Sequence, residues 1–388
     1  MRSLQTRTEG ILGKVHDSSR SDYCVLNGKV DARLSDVERL TLIGGEGLDR
    51  LIARLGRSLE SVSLDSFAPN LTLDTLLQSH ERLLRMRSDG TAQQLLADVP
   101  RPIEPTITPI HGFPEGEVMD LHFSSPFPCM ATSYDPAYAE VIENQALHVR
   151  YWEHHAKDAS RQTIVAVHGW TMGDQRVNSL AFVPGLFFTL GCNVALIELP
   201  FHGRRLPVGV AEHTPLFPSA DAVRTLLAMS HAIADLRMLA NYLRSRGSVR
   251  IAAVGMSLGA YVAALWASLD ALDRTLLLVP LASMGDMAWR LLKDTETRYH
   301  GRSAGVTKAF LRDLFNDHSP LSRAPATTPE RIMVVGGKGD HLIPKEQIAL
   351  LREQWPRATV LWSKGGHSAP AQRGSTFEKA KRFLLEKV

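Results

Sequence analysis

The chain has 388 residues, a formal net charge of +3, 44% hydrophobic residues and 22% charged residues. This is the balance of a globular protein with room for a large core and about two domains. The charge is too small to mark a nucleic-acid binder, and the three cysteines (Cys24, Cys129, Cys192) are odd in number and far apart, which predicts no disulfide framework, no metal site and a reducing compartment.

Residues 1–21 mix charged and polar residues with short apolar pieces and lack the continuous apolar segment of a signal peptide. No stretch reaches membrane-spanning length. Together with the initial Met1, this predicts a cytoplasmic protein with no stable membrane insertion. Leu48, Leu51, Ile52, Leu55 and Leu59 recur at helical spacing, and so do Leu73, Leu76, Leu77, His80 and Leu84. Residues 1–98 therefore read as a helical N-terminal extension that contacts the main domain. Pro100, Pro102, Pro105, Pro109 and Pro114 follow, and 99–116 reads as a proline-rich, extended connector.

The pattern changes beyond residue 116. Residues 117–123 and 147–152 alternate in polarity like short strands, while 163–167, 193–199 and 249–254 are nearly all apolar. Further strands are predicted at 275–281, 332–335 and 358–362. Residues 222–246 predict a long helix with Val223, Leu226, Leu227, Ile233, Leu236, Leu239 and Leu243 on an apolar face. Short apolar runs separated by helices indicate parallel strands buried on both faces. The expected fold class is α/β, with a mostly parallel central sheet flanked by helices over 117–388. About 50 residues separate the strand ending near Leu281 from the one starting at Ile332, far more than an ordinary α/β connection. Ligands bind beyond the carboxyl ends of such strands, so 284–329 reads as a lid-like insertion.

Gly255-Met256-Ser257-Leu258-Gly259 lies between an apolar strand and a helical run, the setting of a nucleophile elbow. A serine hydroxyl needs an adjacent base, and the base an orienting acid. Asp340 follows the strand at 332–335, and His367 follows the next strand. The order Ser257, Asp340, His367 makes these the candidate catalytic residues. Asp286, after the preceding strand, is the alternative acid. An oxyanion hole needs backbone N–H groups aimed at the developing charge; Leu258 and Trp170, in His168-Gly169-Trp170-Thr171, are the candidates, with Thr171 as fallback. His168 is expected to fix that turn rather than react.

These segments, together with Leu199-Pro200-Phe201-His202-Gly203-Arg204, resemble the α/β-hydrolase superfamily over roughly residues 117–388. Residues 198–205 are similar to its Asp-x-Pro-Gly-His-Gly loop, with Glu198 in place of the Asp and Phe201 in place of the first Gly. Among its branches the chain looks most like esterases related to dienelactone hydrolase. Some members use an Asp nucleophile for dehalogenation; Ser257 argues against that chemistry here.

The expected activity is that of a serine hydrolase acting on a carboxylic ester or related acyl bond of a small molecule. A thioesterase, lactonase, peptidase or carbon–carbon hydrolase would use the same triad, and a non-catalytic binding protein of the same fold is a further alternative. No His/Cys/Asp/Glu cluster has metal-ligand spacing and no glycine-rich phosphate loop is present, so neither metal nor cofactor is expected. Oligomeric state stays open. Arg204 and Arg205 are either anion-binding residues at the cleft or partners in salt bridges. Trp289, Phe310 and Phe315 are either pocket residues or helix packing.

Overall fold

A computed structural model describes residues 70–97, 103–125, 127, 134–155, 161–211, 213–293, 295–367 and 375–386, all within the unit Ile52–Val388. The helix expected around Leu48 to Leu59 lies outside them, as do Cys24 and Cys129.

The described chain begins with α1 (Leu73–Ser88), whose first turn is capped by Thr72 accepting from the Thr75 N–H. Its buried stripe is Leu76, Ser79, Leu83 and Met86. Leu77 and Leu84, which the spacing assigned to the apolar face, are exposed. Polar anchoring explains the rotation. Ser79 and Arg82 reach Asp221, and Arg87 reaches Asp313 and Asp317, so the face turned inward is partly polar. After α2 (Thr91–Ala97) comes β1 (Thr106–Phe113). Part of the stretch expected as a connector is thus a paired strand. Pro109 is tolerated because β1 is the sheet's edge and its register shifts between Pro109 and His111.

Next come β2 (Gly116–Ser124), α3 (Pro136–Ala139), β3 (Ala146–His154), β4 (Gln162–Val167), α4 (Gln175–Val183) and β5 (Asn193–Ile197). They are followed by α5 (Ala222–Ser245), β6 (Arg250–Met256), α6 (Leu258–Leu269), β7 (Thr275–Leu278), α7 (Met284–Leu291), α8 (Glu296–Gly301) and α9 (Lys308–Leu314). The chain closes with β8 (Ile332–Gly337), α10 (Lys345–Gln354), β9 (Thr359–Ser363) and α11 (Ser375–Leu385). The nine strands of the described residues form one sheet in the order β1-β2-β3-β5-β4-β6-β7-β8-β9. Pairings among β1, β2, β3 and β5 are antiparallel, and every pairing from β5–β4 to β8–β9 is parallel. This is the expected α/β architecture.

The all-apolar runs are explained by burial on both faces. Val165, Val167, Ala195, Ile197 and Ala253 belong to one core cluster, whereas Ile164, Ala166, Val194, Leu196 and Ala252 belong to the other. Helix α5 departs from expectation. It is buried nearly all round, including His231 and Asp235, so its polar groups need partners. Arg205 supplies them: its guanidinium meets Asp235 Oδ2 and His231 Nε2, each at 2.8 Å. Ser125 donates to Asp235 Oδ1. Because His231 Nε2 accepts from Arg205, Nδ1 carries the proton and faces the Tyr138 hydroxyl at 2.9 Å. Burial, with the Arg205 charge alongside, holds the His231 pKa well below its ordinary value. Of the two readings of Arg204 and Arg205, salt bridging is the observed one: Arg204 meets Glu198 at 2.9 Å and Asp120 at 3.4 Å.

Candidate active site

Strand β6 delivers Ser257 at φ 55°, ψ −115°, a left-handed backbone that costs a non-glycine residue about 1–3 kcal/mol. Its N–H donates to the Leu278 carbonyl on the neighbouring strand side, and its own carbonyl accepts from Ala260 and Tyr261 in α6. The strain is held from both sides. The flanking glycines have a steric cause. A β-carbon on Gly255 would lie 2.3 Å from the Gly259 carbonyl oxygen, and one on Gly259 would lie 2.2 Å from that of Val167. Helix α6 sits directly on the end of β4, where any side chain at position 259 would intrude. The Ser257 side chain makes no N-cap bond to α6 and lines a cavity instead.

The turn after β4 lies against the elbow: a β-carbon on Gly169 would be 3.5 Å from Ser257 Cβ. His168 is buried and makes two backbone bonds, Nδ1 donating to the Gly169 carbonyl at 2.7 Å and Nε2 accepting from the Leu199 N–H at 3.1 Å. Burial, with His202 nearby, pushes its pKa down to about 3. It is a neutral brace for the turn, as expected. Trp170 and Leu258 both line the cavity beside Ser257. Leu258 opens α6, where a helix leaves its first N–H groups without intrahelical acceptors. Thr171, the fallback, also lines the cavity and has φ 62°.

Asp340 follows β8 and His367 follows β9. His367 Nδ1 and Asp340 Oδ2 are 2.8 Å apart, and both side chains are largely buried. The other carboxylate oxygen, Oδ1, accepts from the Leu342 and Ile343 N–H groups, each at 2.9 Å. His367 and Ser257 line the same cavity. Asp286 is placed elsewhere. It joins α7 to α9 through Arg312 and through Lys308 at 3.0 Å. Burial would raise its pKa, but the Arg312 and Lys308 hydrogen bonds prevail and hold it below the usual value.

The loop after β5 shows how the two exchanged residues are accommodated. Glu198, almost fully buried, accepts from the Arg204 N–H and Nε, each at 2.9 Å. Burial raises its pKa against the pull of Arg204. Phe201 adopts φ 61°, donates its N–H to Asn144 Oδ1 and sets its ring edge-on to Tyr138 at 5.2 Å. Gly173 and Gly203 bring this loop into backbone contact with the turn after β4, since a β-carbon on Gly173 would lie 2.0 Å from Gly203 N.

The cavity has a volume of about 130 Å³. Phe315 lines it, but Trp289 and Phe310 do not. Trp289 carries the Arg298 guanidinium over its ring at 4.0 Å, and Phe310 meets His80 at 4.9 Å. Several lining residues escaped sequence reasoning: Leu71, Pro218, Ala220, Met172, Met284 and Met287. Their only local signal is apolar character, and their convergence is a tertiary property. Among the described residues, no group of three or more His, Cys, Asp or Glu side chains could hold a metal, and no helix is long and apolar enough to cross a membrane.

No protein-family model matches the sequence. Two uncharacterized proteins of Mycobacterium tuberculosis, from two strains, are each 31% identical over 217 residues, covering 54% of this chain and 50% of theirs. The chain thus spans about half the length of the curated relatives it matches. Among solved structures, acetyl xylan esterase 1 from Thermoanaerobacterium sp. is similar at 14% identity and TM-score 0.46, covering 76% of this chain and 97% of that one. A thermophilic esterase, Est2, from Thermogutta terrifontis is similar at 18% identity and TM-score 0.43, covering 63% and 89%. The sheet order, with its antiparallel start and parallel remainder, and the strand-turn-helix elbow at Ser257 make this chain a protein of the α/β-hydrolase fold.

Proposed function

We propose that the chain is a serine hydrolase cleaving a carboxylic ester or related acyl bond through an acyl-enzyme. The observation that carries this reading is the 2.8 Å bond between Asp340 and His367 on the cavity that Ser257 also lines. Asp340 accepts from Nδ1–H of the imidazole, which leaves Nε2 as the base. Nε2 takes the Ser257 hydroxyl proton as Oγ attacks the carbonyl carbon. The Leu258 and Trp170 N–H groups receive the oxyanion. Collapse expels the alcohol, which leaves with the proton from His367, and the acyl group stays on Ser257. Water then attacks, giving its proton to His367, and a second collapse frees the acid and restores the serine. The steps use no metal or cofactor. Residues 284–329 serve as the lid, with Met284, Met287 and Leu291 facing the cavity.

A fluorophosphonate probe tests this directly. The full chain is expected to label and to turn over p-nitrophenyl esters, and Ser257→Ala to do neither. Labelling of Ser257→Ala as strong as that of the wild type would overturn Ser257 as the nucleophile.

A further inference from the structure

Besides the turns at the strand ends, three places supply walls of the cavity: the segment before α1, the loop before α5, and the insertion. Leu71 is 4% exposed and lines the cavity together with Pro218, Ala220 and Phe315. It does not hang there by its own packing alone. Two residues on, α1 begins, and its polar stripe is bonded to both of the other walls. Arg82 meets Asp221 at 2.7 Å, next to Ala220, and Arg87 meets Asp317 at 2.8 Å, two residues past Phe315. Helix α1 therefore fixes Leu71 relative to the loop and the insertion at once.

The lining has a definite chemistry. Four methionines face the cavity (Met172, Met256, Met284 and Met287), and no Lys, Arg, Asp or Glu does among the described lining residues. A carboxylate or ammonium carried into its apolar part would lose its hydration without a Lys, Arg, Asp or Glu side chain to replace it. Methionine side chains adapt to flexible apolar groups. The volume of about 130 Å³ is close to that of a roughly 150 Å³ apolar cavity able to hold a six-carbon ring.

We propose that the cavity takes a neutral aliphatic acyl group of about six carbons, and that Leu71 is a specificity-determining wall residue that sets its length. The inference rests on the serine-hydrolase reading for the word acyl, but the pocket's selectivity can be measured without catalysis. Each methylene up to the sixth carbon should tighten binding about fourfold, from about 0.8 kcal/mol per buried methylene.

The experiment uses the full chain in two arms. In the first, Ser257→Ala is titrated calorimetrically with butanamide, hexanamide, octanamide and the monoamide of adipic acid. Hexanamide should bind at least tenfold tighter than butanamide and than the charged adipic monoamide. Adding Leu71→Trp should weaken hexanamide at least tenfold and butanamide less than threefold. Leu71→Ala should move the preference to octanamide, and it serves if the tryptophan variant does not fold. In the second arm, hydrolysis of the p-nitrophenyl butanoate, hexanoate and octanoate esters is compared for Ser257-containing chains with the same Leu71 changes. Amide selectivity that follows Leu71 without any ester turnover supports the pocket and overturns the hydrolase reading. Turnover with neither profile moved by Leu71→Ala overturns the role of Leu71. Equal binding of hexanamide and its carboxylated counterpart overturns the proposed neutral ligand class.

Discussion

Gly259 and Val167 are in backbone contact: a β-carbon on the glycine would sit 2.2 Å from the Val167 carbonyl oxygen and 2.4 Å from that of His168. Helix α6, which follows Ser257, and the turn after β4 are therefore fixed to each other by main chain, with no side chain between. Gly259→Ala forces one of them to move. We expect a loss of about 3 kcal/mol, as for an overpacked core, read as a lower urea midpoint. Hydrolysis should fall by more than the folded fraction accounts for, because Ser257 and Trp170 separate.

Asp340→Asn should keep the hydrogen-bonding distance but favour the wrong imidazole tautomer. Turnover of a p-nitrophenyl ester should drop about 10³-fold or more with KM little changed. Loss of less than tenfold would remove Asp340 from the triad.

Asp286→Ala provides the contrast. It removes the ion pairs with Arg312 and Lys308, and both cations are half exposed, so about 1 kcal/mol of stability is expected to go. Ester hydrolysis should stay within threefold (roughly, since no interaction with His367 is lost). The folded-state pKa of Asp286 is depressed, so its contribution is present above the unfolded value of about 3.9 and is lost as pH falls through the folded value. The stability difference between wild type and variant should therefore shrink below about pH 3.9. A constant difference down to pH 3 would contradict the assignment.

Buried histidines lower the stability in acid. His168 and His318 are held down to about 3 and His202 to about 4, in each case chiefly by burial. Each is neutral in the folded state and binds a proton when unfolded, so its contribution is intact above the unfolded pKa of about 6.5 and is lost as pH falls below it. At pH 5 the loss is roughly 2 kcal/mol for each such histidine. Urea midpoints measured from pH 7.5 to 5 should fall steeply only below about 6.5. A flat profile would mean that these rings are hydrated.

Arg205→Ala leaves Asp235, buried on α5, without its cation. A loss of about 3–5 kcal/mol is expected, large enough for calorimetry to show a sharply lowered melting temperature. Joint replacement of Arg205 and Asp235 by apolar residues should recover part of it.

Much of this could be read from the residues in order. Runs such as 163–167 and 249–254 are apolar at every position because both faces of their strands are covered, and the Ser257 elbow stands between such a run and a helix. Strand β1 is not legible in the sequence because Pro109 argues against a strand, and only its place at the sheet's edge with a register shift makes the proline harmless. Helical spacing of leucines misplaces the buried face of α1 because Ser79 and Arg82 reach an aspartate 139 or more residues away in sequence. Asp286 and Asp340 each follow a strand and look alike in sequence. What separates them is the lysine and arginine that α9 brings to the first and the imidazole that β9 brings to the second.

The three residues proposed to cleave the bond leave from ends of the sheet, while Leu71, the 218–220 loop and the 284–329 insertion hang outside its hydrogen-bond ladder. Change in those outer segments costs the ladder nothing. A laboratory library confined to them could sample new substrates while the strand ends stay as they are, and divergence between relatives would be tolerated there first.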